Sequence, residues 1–384
     1  MELRERNGVE FYVFPQLEEL GIVAHAFTTR RGGVSRGPYS TLNMACHVGD
    51  APAAVAENRR RALAALGLES RDQARISQGP GQRPDLRLGS ERRPYAGRPA
   101  RPVCPRLTHP TSCLVAGEQV HGDRIALVTD ADRGKEWAPW APAIPRSDGL
   151  ITKSRGGPGG VVLIAYFADC VPVYLVDPVE RAIGLMHAGW RGTALGIARK
   201  GVQAMRDAFG TDPRNVYAGI GPSIGPCCYR VGQDVARAVA DAVTGVMTGA
   251  MMSVGIADAS FVIPRAIRCA DHEDHGGDCN HSGGHSRECG GGGPDQEDER
   301  EDRGDQGDRE DQEDREDQEN REQWYLNLWE ANRLQLLAAG VPHEHIFVSG
   351  ICTCCHRDVF FSYRRDGPEM GRMAAILTLA QYRG

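Results

Sequence analysis

A cysteine and a histidine stand at the two open ends of a predicted β-hairpin, and both residue types bind metals. Turn residues at Asp177–Glu180 separate two apolar runs. A two-residue turn at Pro178-Val179 would pair Cys170 directly with His187. The two side chains would then point to one face at the separation of two ligands on one ion. A thiolate and an imidazole suit Zn²⁺, so this spacing predicts a zinc site unless a bulge or longer loop changes the register.

His121 is the candidate third ligand, because it lies between a predicted strand and a glycine turn. Three protein ligands with an open fourth position are typical of a catalytic zinc, which lowers the pKa of its bound water to about 7. The residues alone leave two other interpretations open. His121 and His187 could be structural histidines, with Cys170 as a small buried hydrophobe. Alternatively, Cys170 could be a nucleophile with His187 as its base.

The predicted secondary-structure elements that must position these side chains indicate an α/β protein. The predicted strands come in close pairs, which favours mixed β-sheets flanked by helices. The strands are predicted at Phe11–Phe14, Val23–Thr29, Val161–Tyr166, Val171–Val176, Ala182–His187, Val216–Ile220, Ile346–Ser349 and Phe360–Tyr363. Helices are predicted from an N-cap near Thr193 through Phe209, and at Val231–Val243, Tyr325–Ala339 and Met370–Tyr382.

Length predicts one large domain or two ordinary ones, and composition indicates two insertions. The chain has 384 residues, 41% of them hydrophobic, which is enough to bury a large core over residues 1–384. Two stretches, at about 78–112 and 266–323, have too few apolar residues to offset the entropy of ordering. We therefore expect both to be disordered.

Outside one acidic segment, the chain carries a small net positive charge. Residues 295–322 carry 16 acidic and 5 basic side chains, whereas the whole chain has a formal charge of −6. The remainder suits an anionic substrate but is too weakly basic to predict nucleic-acid binding. A Cys/His-rich stretch precedes the acidic segment and could bind a metal, although its spacing fits no zinc finger. Its candidate ligands are Cys269, His272, His275, Cys279, His281, His285 and Cys289.

The twelve cysteines favour thiols or metal ligands over a disulfide framework in a chain of this length. The longest apolar run, Val161–Ala168, has eight residues, which is far short of a membrane span. The first residues have no apolar stretch typical of a secretion signal. We therefore expect a cytoplasmic protein that binds neither a membrane nor nucleic acid, as a monomer or homodimer.

Several long motifs, all in one order, resemble the laccase-domain family. This family is also called YfiH, polyphenol oxidase or peptidoglycan editing factor, and it is described as purine nucleoside phosphorylases. The similarity covers most of the chain outside the two insertions, and it implies a single domain over residues 1–384 with the layered α/β (α+β) sandwich of this family. The matching segments are Phe27–Tyr39 with Leu42-Asn43, Gln119–Gly122, Ala168–Pro178, His187–Thr193, Gly221–Tyr229 and Phe361–Gly367.

The resemblance implies a zinc site of His121, Cys170 and His187. It also implies phosphorolysis of adenosine, inosine, guanosine and S-methyl-5'-thioadenosine, with adenosine deamination as a second activity. Guanidinium groups match phosphate oxygens bidentately, and Asn43 could bond ribose or base. The candidate phosphate-binding residues are Arg30, Arg31 and Arg191. One departure from the family pattern is Arg230, which stands where an acidic residue is usual.

Three rival functions remain at this stage. A copper-dependent polyphenol oxidase needs many paired histidine ligands. Outside the Cys/His-rich stretch the chain has eight histidines and one His-x-His pair, His343 and His345, so copper is disfavoured relative to zinc. A cysteine hydrolase would use Cys170 on cell-wall or amide substrates. A non-catalytic metal-storage or partner-binding protein would bind metal mainly through the Cys/His-rich stretch.

Overall fold

Two six-stranded sheets and the helices around them account for most of the structure. The computed structural model describes residues 1–68, 113–135, 142–156, 160–250, 262–263 and 324–380. Both predicted insertions and the Cys/His-rich stretch lie outside these residues. Within these ranges, no helix has the length and apolar character needed to cross a bilayer.

The strands and helices are numbered in chain order. The strands are β1 (Glu2–Arg6), β2 (Val9–Val13), β3 (Val23–Thr28), β4 (Leu114–Ala116), β5 (Ile125–Leu127), β6 (Gly149–Thr152), β7 (Val162–Phe167), β8 (Val171–Asp177), β9 (Ala182–Ala188), β10 (Tyr217–Ile220), β11 (Arg230–Val231), β12 (Val262–Ile263), β13 (Trp324–Leu326), β14 (Ile346–Val348) and β15 (Met373–Leu379). The α-helices are α1 (Pro15–Glu19), α2 (Pro52–Ala65), α3 (Trp190–Ala194), α4 (Ile197–Phe209), α5 (Gln233–Ala250), α6 (Leu328–Ala338) and α7 (Tyr363–Asp366).

Both large sheets are mixed. The first has the order β1-β2-β3-β15-β7-β4, and the second has the order β14-β10-β8-β9-β6-β5. Most neighbours are antiparallel, but β4–β7, β5–β6 and β10–β14 are parallel pairs. A small third sheet has the order β11-β13-β12. The predicted mixed α/β class is therefore confirmed.

The two large sheets pack face to face, and helices cover their outer faces. Side chains alternate along each central strand, as the two-residue period requires. On β8, Tyr174 and Val176 join the core between the sheets, whereas Val173 and Leu175 pack under the helices that cover the second sheet. Residues of α2, including Leu63, cover the other face of the first sheet. The strands that carry the candidate ligands are thus covered on both faces.

The C-terminal element is a strand, so the helix predicted at Met370–Tyr382 is wrong. Strand β15 lies at the centre of the first sheet, between β3 and β7, and all seven of its residues are buried. A short apolar run covered on both faces has no alternation, so its periodicity does not distinguish it from a buried helix.

Three other predicted elements differ from the structure. The strand predicted at Phe360–Tyr363 is an extended loop that leads into α7, because both phenylalanine rings point into the core instead of alternating. Thr193 lies inside α3, and α4 begins after Gly196, whose φ of 79° breaks the helix. The helix predicted at Tyr325–Ala339 is divided into β13 and α6.

Candidate metal site and pocket

The β8–β9 hairpin brings Cys170 and His187 to the same face by a register other than the predicted one. His187 pairs with Pro172, and the turn has four residues, Pro178–Arg181, instead of two. The Asp177 carboxylate accepts hydrogen bonds from the backbone of Val179 and Glu180 and so stabilises the longer turn. The direct Cys170–His187 pairing is therefore wrong. The shift preserves the two-residue period, so both side chains still share one face as diagonal neighbours.

Asp148, at the start of β6, positions both candidate histidines. Its carboxylate accepts backbone hydrogen bonds from His121 at 2.9 Å and from Gly122 at 2.8 Å. It also lies 2.9 Å from Nδ1 of His187. A carboxylate on Nδ1 fixes the ring orientation and leaves Nε2 for a metal. Sequence reasoning missed Asp148; the only signal is an acidic residue directly before the apolar strand Gly149–Thr152.

His121, Cys170 and His187 form one group of donors. One donor atom from each residue lies within 4.8 Å of the other two. The two imidazole centroids are 4.9 Å apart. His187 is buried at 3% exposure, whereas His121 is exposed to solvent. Such a group has one side covered by protein and one side that a further ligand can reach.

The electrostatics of the group stabilise a thiolate. Burial opposes the charge on Cys170, but His187 and hydrogen bonds from both histidines bring the thiol pKa down to about 6. Burial likewise opposes the His187 imidazolium, but the Cys170 charge and Asp148 raise its pKa to about 9. Burial would raise the Asp148 pKa, and the hydrogen bonds from His187 and the 120–122 backbone outweigh that effect and lower it. A thiolate is the form that binds a metal.

Glycine and backbone conformation make room for the group. A Cβ on Gly189 would lie 3.0 Å from the His121 ring and 3.2 Å from Sγ of Cys170, so only glycine leaves this space open. Asp169 directly precedes Cys170 and has a φ of 86°, which is strained for a non-glycine residue. Its buried carboxylate is held by Thr353 at 2.7 Å and Ser362 at 3.0 Å. These bonds hold the backbone conformation that directs the Cys170 thiol.

A cavity of about 860 Å³ opens onto the donor group. Its walls combine the three donors with aromatic and cationic side chains, which suits a planar base and an anion. The aromatic residues are Tyr166, Trp190, Tyr229 and Tyr363, and the guanidinium groups are those of Arg191, Arg364 and Arg372. The acidic residues Glu118 and Asp169 also line it.

Of the predicted phosphate-binding arginines, the structure places only Arg191 in the cavity wall, 4.5 Å from the Trp190 ring centroid. Arg30 lies outside the lining, where it donates to the Ser40 carbonyl and covers the Phe361 ring. Arg31 donates to the Asp358 carbonyl. Both side chains therefore join loops of the fold at positions away from the cavity.

Asn43 is fully buried and makes four hydrogen bonds within the protein. Its amide donates to Asp50 and to the Ala45 carbonyl, and its oxygen accepts from the backbone of Ala45 and Arg372. It therefore positions the backbone of Arg372 from outside the cavity lining.

Sequence reasoning missed Arg364 and Arg372. Arg364 lies in the quoted Phe361–Gly367 motif, and its guanidinium donates to the Arg230 carbonyl and stacks over Tyr229. Arg230, the residue that departs from the family pattern, therefore contacts Arg364 through its backbone carbonyl.

This fold and donor group define an α/β protein with sulfur and nitrogen donors that could hold a metal at the wall of a cationic, aromatic cavity. The sequence model described as "multi-copper polyphenol oxidoreductase laccase" matches residues 24–83, 97–259 and 297–380. The chain belongs to this laccase-domain family.

Several curated relatives of this chain are named as purine nucleoside phosphorylases. "Purine nucleoside phosphorylase YlmD" of Geobacillus stearothermophilus is 33% identical over 93% of this chain and 90% of its own. "Purine nucleoside phosphorylase YfiH" of Escherichia coli is 26% identical over 96% of this chain and 98% of its own. The crystal structure of YlmD from Geobacillus stearothermophilus superposes with a TM-score of 0.64 at 32% identity and covers 98% of both chains.

Proposed function

We propose that the protein is a zinc-dependent purine nucleoside phosphorylase. It would cleave adenosine, inosine, guanosine and S-methyl-5'-thioadenosine with phosphate, and it would also deaminate adenosine. The observation that carries the proposal is the combination, in one cavity, of an open donor group with three guanidinium groups and four aromatic rings. The names of the relatives support the same reaction class.

The donor group fits Zn²⁺. Two imidazoles and a thiolate are ligands that zinc prefers, and Asp148 supplies the second hydrogen bond typical of a zinc-binding histidine. His121, Cys170 and His187 would hold the ion. When bound, zinc supplies Lewis acidity and a water of lowered pKa, which is the chemistry that deamination of a purine requires.

Different residues of the cavity would bind different parts of the substrates. The aromatic walls at Tyr166, Trp190 and Tyr229 suit the purine faces, since every base offers a π-surface. Arg191, Arg364 and Arg372 would hold phosphate and stabilise the charge that develops as the glycosidic bond breaks. The Asp169 carboxylate accepts the Arg364 backbone amide at 2.7 Å, so its charge is already partly compensated within the protein. We place this reaction in the cytoplasm, where thiol donors stay reduced.

A cysteine hydrolase is the second candidate, and one observation favours it. Cys170, His187 and Asp148 have the order of nucleophile, base and orienting carboxylate. The third donor, His121, argues for a metal, because a nucleophile–base pair needs no second imidazole beside the thiol. A multicopper oxidase is disfavoured by the described residues, because its copper sites need many paired histidines and the donor group at the cavity supplies only His121 and His187.

Incubation of the zinc-loaded protein with adenosine, with and without phosphate, tests the proposal. We expect phosphate-dependent adenine and phosphate-independent inosine by chromatography, and zinc by elemental analysis. His121→Ala, Cys170→Ala and His187→Ala should each abolish both products, and Cys354→Ala is the matched cysteine control. Bound copper with phenol oxidation would establish the oxidase instead. Metal-independent alkylation of Cys170 with loss of amide hydrolysis would establish the hydrolase.

A further inference from the structure

Four cysteines from two loops meet outside the cavity lining. Cys227 and Cys228 lie in the loop between β10 and β11, and Cys352 and Cys355 lie in the loop after β14. All four sulfur atoms lie within 4.8 Å of one another. The Sγ of Cys355 is 3.5 Å from that of Cys227 and 3.4 Å from that of Cys228. Nothing in the proposed phosphorylase reaction uses these residues.

The backbone brings the two loops together. The loops form an isolated parallel bridge between Ser223 and Cys352, with Ser223 donating to the Ile351 carbonyl and accepting from Thr353. A turn closed by the His356 amide and the Cys352 carbonyl directs residues 352 and 355 to one side. The cluster is therefore formed by main-chain hydrogen bonds and does not depend on chance contacts between flexible side chains.

The sulfur distances fit a tetrahedral metal. Zn–S bonds of about 2.3 Å place the sulfurs of a tetrahedral site roughly 3.8 Å apart, within the spread found here. A disulfide would need about 2.05 Å, far shorter than the distances from Cys355 to Cys227 and to Cys228.

The surroundings support a metal–thiolate group. The Gly225 amide donates to Sγ of Cys352 at 3.2 Å, which is the kind of outer hydrogen bond that stabilises a metal-bound thiolate. A Cβ on Gly225 would lie 3.2 Å from Sγ of Cys227 and 2.7 Å from the Trp329 ring, so glycine is required for this close approach.

We infer that Cys227, Cys228, Cys352 and Cys355 bind a second zinc ion, as a closed structural site. Four thiolates leave no open position, so the ion would join the two loops without taking part in chemistry. Both loops lead into the cavity wall. Tyr229 follows Cys228 directly, and Thr353 bonds the Asp169 carboxylate that precedes Cys170.

Zinc content of purified variants tests the inference. Wild type, Cys227→Ser, Cys355→Ser and Cys113→Ser are prepared under reducing conditions and dialysed against a weak chelator. Cys113 lies directly before β4 and belongs to neither donor group, so it is the matched control. We expect one zinc fewer per chain in Cys227→Ser and Cys355→Ser, and the wild-type content in Cys113→Ser. Equal zinc in all four proteins, or copper in place of zinc, would overturn the assignment.

A second measurement needs no variant. Native wild-type protein is treated with iodoacetamide before and after a strong chelator, and labelled peptides are identified by mass spectrometry. We expect Cys227, Cys228 and Cys355 to be labelled only after chelation. Equal labelling in both conditions, or a disulfide-linked pair of 227 and 355 in freshly reduced protein, would refute a metal site. Because labelling is assigned to each cysteine, metal bound by the Cys/His-rich stretch does not affect the result.

Discussion

Asp169 links two groups of potential metal donors, since it directly precedes Cys170 and bonds Thr353 in the loop of the other group, and the two groups differ in composition and in access. With the two imidazoles of His121 and His187 and the Cys170 thiolate as ligands, a bound Zn²⁺ would keep a net positive charge and an open position. The group of four cysteines would bring zinc to a net charge of −2 with no position left. The first arrangement polarises a substrate, and the second resists exchange.

In both groups the location in the fold matches the donor chemistry: the open set lies at the cavity, and the closed set lies between two loops. The open group is formed by strand ends and a loop at the cavity wall, where His121 is exposed. The four-cysteine group joins two loops, and Cys352 has no exposed surface. Removal of the metal would have a different consequence at each place. The first group would lose turnover, and the second would lose the order of its two loops.

The largest expected effect is the loss of the thiolate from the open group. Cys170→Ala should lower kcat/KM for adenosine phosphorolysis by at least ~1000-fold, because a zinc ion contributes several kcal/mol of transition-state stabilisation. Steady-state kinetics beside Cys354→Ala measures the effect. Retention of more than a tenth of the activity in Cys170→Ala would remove the distinction between the two groups.

The next effect concerns the residue behind the open group. Asp148→Asn keeps the side-chain shape but replaces one carboxylate acceptor with an amide donor facing His187 and the 120–122 backbone. We expect zinc affinity at the open site to fall ~10- to 100-fold. Competition with a chromophoric chelator measures it. The four-cysteine zinc should be unaffected, and a parallel loss at both sites would instead indicate general unfolding.

The sequence was sufficient to predict that Cys170 and His187 share one face, because this depends only on the two-residue strand period. The predicted register of Cys170 and His187 was wrong, yet a shift that preserves the period keeps both side chains on one face. Asp148 was not accessible, because its approach to His187 depends on the pairing of β6 with β9, which no local pattern specifies.

Other failures have the same physical origin. Strand β15 is an apolar run inside the first sheet, and Phe360-Phe361 packs in the core between the two sheets, so contacts with distant parts of the chain decide the conformation of both. Arg30 and Arg364 both lie in quoted family motifs, but only the folded loops decide which guanidinium faces the cavity and which bonds backbone carbonyls. The four-cysteine group joins residues more than 120 positions apart, so no local spacing in the sequence indicates it.

A smaller effect distinguishes a residue that binds phosphate from one that supports the metal group. Arg191→Gln removes one cavity guanidinium and should raise KM for phosphate about 10-fold, since a charge-assisted hydrogen bond is worth roughly 1.5 kcal/mol. The phosphate-independent deamination should change much less. Arg237→Gln on the exposed side of α5 is the matched control. An equal loss of both reactions in Arg191→Gln would place this residue in the support of the metal group instead.

The smallest effect sets the pH range in which the two groups can be compared. His25 is buried at 2% exposure, away from both groups, and its Nε2 accepts the Phe14 amide at 2.8 Å. Burial lowers its pKa to about 4. The unfolded chain, with a histidine pKa of about 6.5, therefore binds the proton first as pH falls, so folding stability decreases below pH ~6.5 and the decrease ends near pH 4.

At about pH 5.5 this single group should cost roughly 1 kcal/mol of folding stability, and nothing at pH 8. Urea denaturation of wild type and His25→Gln at both pH values, with a chelator present to remove metal effects, isolates the contribution. Glutamine can still accept the Phe14 amide but does not titrate, so the free-energy difference between the two proteins should shrink at the lower pH. If the difference is the same at both values, His25 does not titrate with the fold. Acid loss of activity above pH 5 would then report on the metal groups alone.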